Sequence, residues 1–257
     1  MAAGSLTVVG TGIEFVVHLT PQALGEIRVA EDVPYLVADP ASAGWLQSLN
    51  PAARSLHELY QPTTNRATSY EAIVDELLSR IRAGFRVCAV FYGHPGVFVY
   101  PSHEAIRRAR AEGFAARMLP AVSAEDCLFA DLGVDPARTG CQSYEATDFL
   151  IHRRTIDSTA ALVLWQVGGV GDRGYPPEAT PERLQVLVDA LLESYPPGHE
   201  VTLYEASPYL VCDPFVLRLP LADLAAASFP LLATLYVPPA GPPREDPARV
   251  RALGLSA

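Results

Sequence analysis

The chain has 257 residues, 49% of them hydrophobic and 19% charged, with a formal net charge of -10. That length and composition fit one large or two modest globular domains with a full core, and exclude a disordered chain. The acidity argues against nonspecific nucleic-acid binding and an anionic membrane surface. There is no apolar run of membrane-spanning length and no basic segment leading into an apolar signal core.

All 19 basic residues are arginine. Without lysine, Schiff-base chemistry and lysine-dependent phosphate clamps are out of reach. Cys88, Cys127, Cys141 and Cys212 form no C-x-x-C pair, and His18, His57, His94, His103, His152 and His199 form no H-x-x-x-H pattern. A zinc or other metal site is not expected, and reduced thiols in a soluble cytoplasmic protein are. There is no G-x-S-x-G elbow for a serine nucleophile.

In chain order, Leu6 to Val9 reads as a strand that runs into Gly10-Thr11-Gly12. A dinucleotide fingerprint would want a third glycine where Phe15 stands, so this is a tight turn or a ligand loop. Thr20-Pro21 opens a helix. Val33 to Ala38 is a strand, and Asp39-Pro40 starts a short helical turn. A polar loop then carries Tyr60 and Arg66 ahead of a helix predicted over 69–83, with Tyr70 on its first turn. It reads either as an exposed loop with a snorkelling arginine or as an oxyanion-holding set of one cation and two phenols.

The stretch from Arg86 to Leu132 is the most informative. Val87 to Tyr92 is a buried strand halted by Gly93-His94-Pro95-Gly96, Ser102 is expected to cap a helix ending at Gly113, and Phe114 to Leu119 is a second strand. Ser123-Ala124-Glu125-Asp126 then reads as a capping box. This alternation predicts a parallel α/β sheet with both loops at strand carboxyl ends, where ligands bind. His94 could act as a base or fix the loop backbone. The second half is more strand-rich. Strands are predicted at Ala160 to Gln166, Val201 to Tyr204, Phe215 to Leu219 and Leu232 to Val237, with helices at Pro181 to Tyr195 and Leu221 to Ala226. A mobile or extended proline-rich tail is expected from Pro238.

The segments Gly93-His94-Pro95-Gly96-Val97-Phe98 and Leu119-Pro120-Ala121-Val122-Ser123-Ala124-Glu125-Asp126-Cys127 resemble the tetrapyrrole methylase superfamily. More closely, they are similar to the peptide backbone α-N-methyltransferases of borosin biosynthesis. The likeness extends through Gly4 to Gly12, Tyr144 to Leu150 and Gln166-Val167-Gly168. It implies a two-domain α/β fold of the class III methyltransferases, divided as 1–121, 122–237 and a tail 238–257. S-adenosylmethionine would lie in the cleft between the domains, with S-adenosylhomocysteine as product and no metal, in an interlocked homodimer. Tyr92, His94, Pro95, Gly96, Val97, Phe98, Ser123 and Ala124 would cradle the cofactor, and Gln166, Ala206 and Thr234 would frame its adenosine. Tyr60, Arg66 and Tyr70 match the set that handles the amide, with Tyr92 beside the transferred methyl.

The chain departs from the family in four ways. His94 replaces the aspartate usual in the wider superfamily, the third glycine of the first loop is missing, the loop between Tyr60 and Arg66 is shorter and less aromatic, and the chain stops at Ala257 soon after its last strand. The expected substrate is therefore a separate ribosomally made precursor peptide. The rival expectations are a tetrapyrrole or other small-molecule methyltransferase and a non-catalytic binding partner. The net acidity favours a neutral or basic substrate over a polyanionic tetrapyrrole.

Overall fold

A computed structural model describes residues 4–14, 16–37, 39–59, 66–172 and 179–255. Its contacts divide the chain into two compact units. The first is mainly Met1–Leu132, joined by Ala206–Pro214, and the second is Gly133–Asp172, Pro176–Glu205 and Phe215–Ala257.

In the first unit the elements follow as β1 (Ser5–Gly10), α1 (Pro21–Val29), β2 (Val33–Leu36), α2 (Pro40–Leu49), β3 (Ala53–Ser55), α3 (Arg66–Arg82), β4 (Arg86–Phe91), α4 (Tyr100–Ala111), β5 (Ala115–Met118) and α5 (Ala124–Leu132). The strands form one parallel sheet in the order β3-β2-β4-β1-β5. A parallel strand covered by helices on both faces must be apolar at successive positions, which is why Val87 to Phe91 shows no polar alternation. On one face Leu6, Val8, Val87, Ala89 and Phe91 pack against α3 (Ile73, Leu77, Ile81) and α4 (Ala105, Ile106, Ala109). On the other, Val9, Val33, Cys88 and Val90 meet Ala23 and Ile27 of α1 and Leu46 of α2. Burial pushes the Cys88 thiol up to about 12, so it is an inert core residue.

Adjacent strands β1 and β4 therefore send their chains to opposite faces, β1 through α1 and β4 through α4. This is a switch point, the place in an open α/β sheet where ligands bind, at the carboxyl ends of the two strands. At the opposite end of the sheet, Asp32 accepts Arg54 Nε at 2.7 Å and Arg80 Nε at 2.9 Å. The helices α3 and α4 are joined by ion pairs. Arg82 Nε bonds Glu112 at 2.7 Å, and Arg108, braced within α4 by Glu104 at 2.6 Å, reaches Glu71 of α3 at 2.7 Å.

Several boundaries depart from the sequence expectations. Asp39 does cap a helix, accepting from the Ala41 and Ser42 N–H groups, but α2 is ten residues long rather than a single turn. The helix bearing Tyr70 already includes Arg66, so Tyr70 lies in its second turn. Ser102 does not cap α4, which begins two residues earlier with Pro101 in its first turn, and its hydroxyl is fully buried without a partner among the described residues. Proline needs no helical hydrogen-bond acceptor there and has φ preset for a helix start.

The second unit contains α6 (Pro136–Thr139), β6 (Cys141–Glu145), α7 (Ala146–Ile151), β7 (Ala161–Trp165), α8 (Pro181–Leu192), β8 (Glu200–Glu205), β9 (Phe215–Pro220), β10 (Thr234–Val237) and α9 (Pro247–Ala252). Its sheet runs β6-β7-β10-β8-β9, with β6 and β7 parallel and the other pairs antiparallel. The stripe Leu184, Leu187, Val188 and Leu191 of α8 buries against Leu162, Leu164, Leu203 and Leu235, as its helical spacing predicts. The segment Leu221–Ala226 is 3-10 rather than α-helical. The tail is anchored at its start, where His199 Nε2 is 2.9 Å from the Pro238 carbonyl and the Ala240 N–H donates to Ser158 O at 2.8 Å. Beyond this it is not wholly extended, because Asp246 caps the exposed helix α9.

Candidate functional site

The carboxyl ends of β1, β4 and β5 bring three loops of the first unit together at Gly10. A Cβ at Gly10 would stand 2.0 Å from Gly93 O, 2.7 Å from Pro95 Cδ and 2.9 Å from Ala121 Cβ. Only glycine allows this closeness. The first two loops also pair through their backbones, with Gly12 N–H donating to Gly93 O at 3.2 Å and Gly93 N–H to Gly12 O at 3.0 Å.

Two imidazoles fix the 93–98 loop. His94 Nδ1 accepts the Gly96 N–H at 3.0 Å, and His103 Nε2, on the first turn of α4, donates to Gly96 O at 2.9 Å. Of the two roles open to His94, its Nδ1 serves as a backbone fastener. Gly96 is confined from within, since an added Cβ would meet Met118 Sδ at 2.8 Å and His94 Cε1 at 3.2 Å. Val97 donates to His94 O at 3.1 Å, and Phe98 sits at φ 55°, a conformation side chains seldom adopt. Held there, the Phe98 ring is 48% exposed, and Tyr92, at the end of β4, is 37% exposed. Strain of this kind concentrates at ligand clamps.

The loop after β5 carries Ser123 and Ala124. Ser123 is buried, and its Oγ accepts the Asp126 N–H at 3.2 Å while Asp126 Oδ2 accepts the Ser123 N–H at 2.7 Å. This is the expected capping box, closed by Asp126. Glu125 and Asp126 are thereby helix-start groups, as their place in the first turn implies.

Of the three residues that the resemblance matches to an amide-handling set, Tyr60 lies outside the described residues. Arg66 and Tyr70 are four residues apart on α3 and so share one helix face. The Tyr70 ring stacks on Tyr100, the first residue of α4, with centroids 6.2 Å apart and planes at 29°. The Tyr100 hydroxyl donates to Glu71 Oε1 at 2.7 Å, and that hydrogen bond pushes the phenol above the ordinary tyrosine range. Sequence reasoning missed Tyr100 and His103. The available signal was their place directly after the glycine-rich loop, on the turn that must pack against it.

In the second unit, Gln166 follows β7 in the left-handed region, at φ 55° and ψ 42°. Thr234 opens β10, is buried, and pairs with Tyr204 of β8. Because β10 runs antiparallel to β7, with Leu235 opposite Leu164, Gln166 and Thr234 lie at the same end of these two central strands. Glu205 ends β8 at the same end of the sheet and Ala206 follows it. The Glu205 Oε2 atom is buried with no partner among the described residues, and burial raises its carboxyl above the ordinary range. No group of three or more metal-ligating side chains occurs among the described residues, and none of their helices is long and apolar enough to cross a membrane.

The family model for tetrapyrrole (corrin/porphyrin) methylases matches residues 5–207. The chain belongs to the tetrapyrrole methylase family. Members of this family are methyltransferases that use S-adenosylmethionine, and its two-sheet α/β fold is the one described above. Among solved structures, uroporphyrin-III C-methyltransferase from Thermus thermophilus superposes with a TM-score of 0.65 at 22% identity, covering 92% of this chain and 94% of that one. Diphthine synthase gives a TM-score of 0.64 at 14% identity, covering 91% and 89%. At such identities the likeness concerns the fold alone.

Curated relatives are nearer in sequence. A methyltransferase/ribosomally synthesized type I borosin cyclic peptide precursor of Coprinopsis marcescibilis is 41% identical over 93% of this chain. The methyltransferase/omphalotin A precursor of Omphalotus olearius is 42% identical over 92% of it. The chain spans 63% and 58% of the length of these two relatives.

Proposed function

We propose that this methylase acts on a ribosomally made precursor peptide, transferring methyl groups from S-adenosylmethionine to backbone amide nitrogens. The observation that carries the reading is the 41–42% identity to borosin methyltransferase–precursor proteins over more than nine tenths of the chain. The finer proposals are that the peptide is supplied as a separate molecule and that the enzyme is a soluble cytoplasmic homodimer.

The first-unit loops fit the cofactor. They pack too closely at Gly10 for any side chain there, while Phe98 is held in a strained, exposed pose. In this reading Tyr92, His94, Pro95, Gly96, Val97 and Phe98 hold it with Ser123 and Ala124. Gln166, Ala206 and Thr234 contribute from the residues that resemble the family's adenosine contacts. When bound, S-adenosylmethionine supplies an electrophilic methyl group, so neither a metal nor a covalent enzyme intermediate is needed.

The chain must supply the rest. An amide nitrogen is a poor nucleophile because its lone pair is delocalised into the carbonyl. Methylation requires loss of the N–H proton and stabilisation of negative charge on the carbonyl oxygen. Arg66 and the Tyr70 hydroxyl, on one face of α3, are assigned to that oxygen. A second tyrosine of the set, Tyr60 or Tyr92 in its ionised form, is assigned to the proton. The remaining contribution is orientation of the peptide and exclusion of water.

The test is tandem mass spectrometry after co-expression with any short peptide found encoded beside the gene and, separately, with the precursor segment of the Omphalotus olearius relative. Methyl increments mapped to backbone nitrogens of either free peptide are expected. Unmodified peptides, with S-adenosylmethionine still bound by the purified protein, would turn the reading to a small-molecule substrate. Binding without transfer to any acceptor would make it a non-catalytic partner.

A further inference from the structure

The geometry points to Tyr100 as a positioning residue that sets the Tyr70 phenol and ties it to the 93–98 loop. This inference rests on the reading of Tyr70 as a group that touches the reacting amide.

Three observations converge on the first turn of α4. The Tyr100 ring lies against Tyr70, centroids 6.2 Å apart and planes at 29°. Its hydroxyl is tied at 2.7 Å to Glu71, the residue next to Tyr70 on α3. Three residues on, His103 holds the Gly96 carbonyl at 2.9 Å. One turn of helix thus grips both the loop assigned to the cofactor and the ring assigned to the substrate.

The anchor is itself braced. The other oxygen of Glu71 accepts Arg108 at 2.7 Å, and Arg108 Nε donates to Glu104 at 2.6 Å. The rotation of a tyrosine ring about its last bond is intrinsically broad, so neighbours decide where its face points. Tyr100 supplies such a neighbour, itself fixed at the hydroxyl by Glu71. That hydrogen bond also commits the Tyr100 proton and keeps its phenol neutral, which leaves Tyr100 a positioning role rather than that of a base. A reacting group displaced by about 1 Å loses on the order of a hundredfold in rate, so a slack Tyr70 would show in turnover.

The test uses the full chain with 3-fluorotyrosine at position 70. It compares Tyr100→Leu, which removes the ring, with Tyr100→Phe, which keeps the ring and loses the Glu71 bond. Fluorine spectra report Tyr70 directly, calorimetry reports S-adenosylmethionine affinity, and single-turnover assays use whichever peptide is methylated in the co-expression experiment. For Tyr100→Leu we expect a displaced or narrowed fluorine resonance and cofactor affinity within about twofold. Its transfer rate should fall about tenfold or more, with peptide KM little changed and most of the rate recovered in Tyr100→Phe. An unchanged fluorine spectrum, an unchanged transfer rate, or a loss confined to cofactor affinity would each overturn the inference. Tyr70→Phe run in parallel separates the two claims. If it transfers methyl groups normally, the reading of Tyr70 fails. If it is slow while Tyr100→Leu is not, only the role of Tyr100 falls.

Discussion

Tyr70→Phe deletes a single oxygen and leaves the ring that stacks on Tyr100. The loss therefore falls on whatever that oxygen does in the transition state and not on packing. Calorimetry should find cofactor affinity unchanged, while the rate of amide methylation falls by about a hundredfold. Gly96→Val acts differently. Its Cβ would press on Met118 Sδ and His94 Cε1, so the loop must deform even with no ligand present. The expected outcome is weaker cofactor binding together with a lower Tm, measured side by side. Glu205 offers a third test. Because burial raises its carboxyl above the ordinary 4.5, the folded state holds the proton more tightly than the unfolded chain. Stability from this group is fully present below the unfolded pKa and is lost as pH rises through the folded one. Glu205→Gln should thus raise the Tm at neutral pH, and the gain should shrink in thermal scans taken toward acid pH.

Among elements, the apolar strands of the first sheet were legible because burial on both faces writes the same signal at successive positions, as in Val87 to Phe91. The strands that sequence reasoning passed over, β3 and β6, are the edges of their sheets. An edge strand has one neighbour and a half-exposed surface, so Ala53–Ser55 and Cys141–Glu145 carry no apolar run to read. The length of α2 was hidden by Ala-Ser-Ala-Gly, residues whose propensities do not add up to a helix without the tertiary contact at Leu46. The candidate site divides similarly. Its loops could be read from glycine and proline chemistry, whereas the Tyr70–Tyr100 contact joins two helices and has no local signature. One long-range element contact is open to direct test. In Asp32→Asn the two arginines lose a carboxylate that is 2% exposed. Since both guanidiniums are part-exposed, the cost should be about 2 kcal/mol in urea denaturation. Burial raises the Asp32 carboxyl, but Arg54 and Arg80 outweigh it and hold it below the ordinary range. Its contribution is present above the unfolded pKa and disappears as pH falls through the folded one.

At the scale of the whole molecule, the two units carry different assignments. The first unit holds the tight glycine loops, the strained Phe98 and the Arg66–Tyr70 face, and the second offers a mixed sheet whose central strands bear Gln166 and Thr234 at one end. The tail contributes little beyond Ala240. Every residue of α9 is exposed or half-exposed, so removing Arg244 through Ala257 should shift the Tm by no more than about 2 °C in calorimetry. The ion pairs that fasten α3 to α4, Arg82 with Glu112 and Arg108 with Glu71, are built from guanidinium groups, as is the Arg108–Glu104 pair within α4. Reagents that acylate side-chain amines find no target in this sequence. Acylating a peptide at a lysine in the protein's presence would therefore leave the protein's side chains untouched, with only a terminal amine in competition, and a dye carried on that lysine would report where the peptide docks.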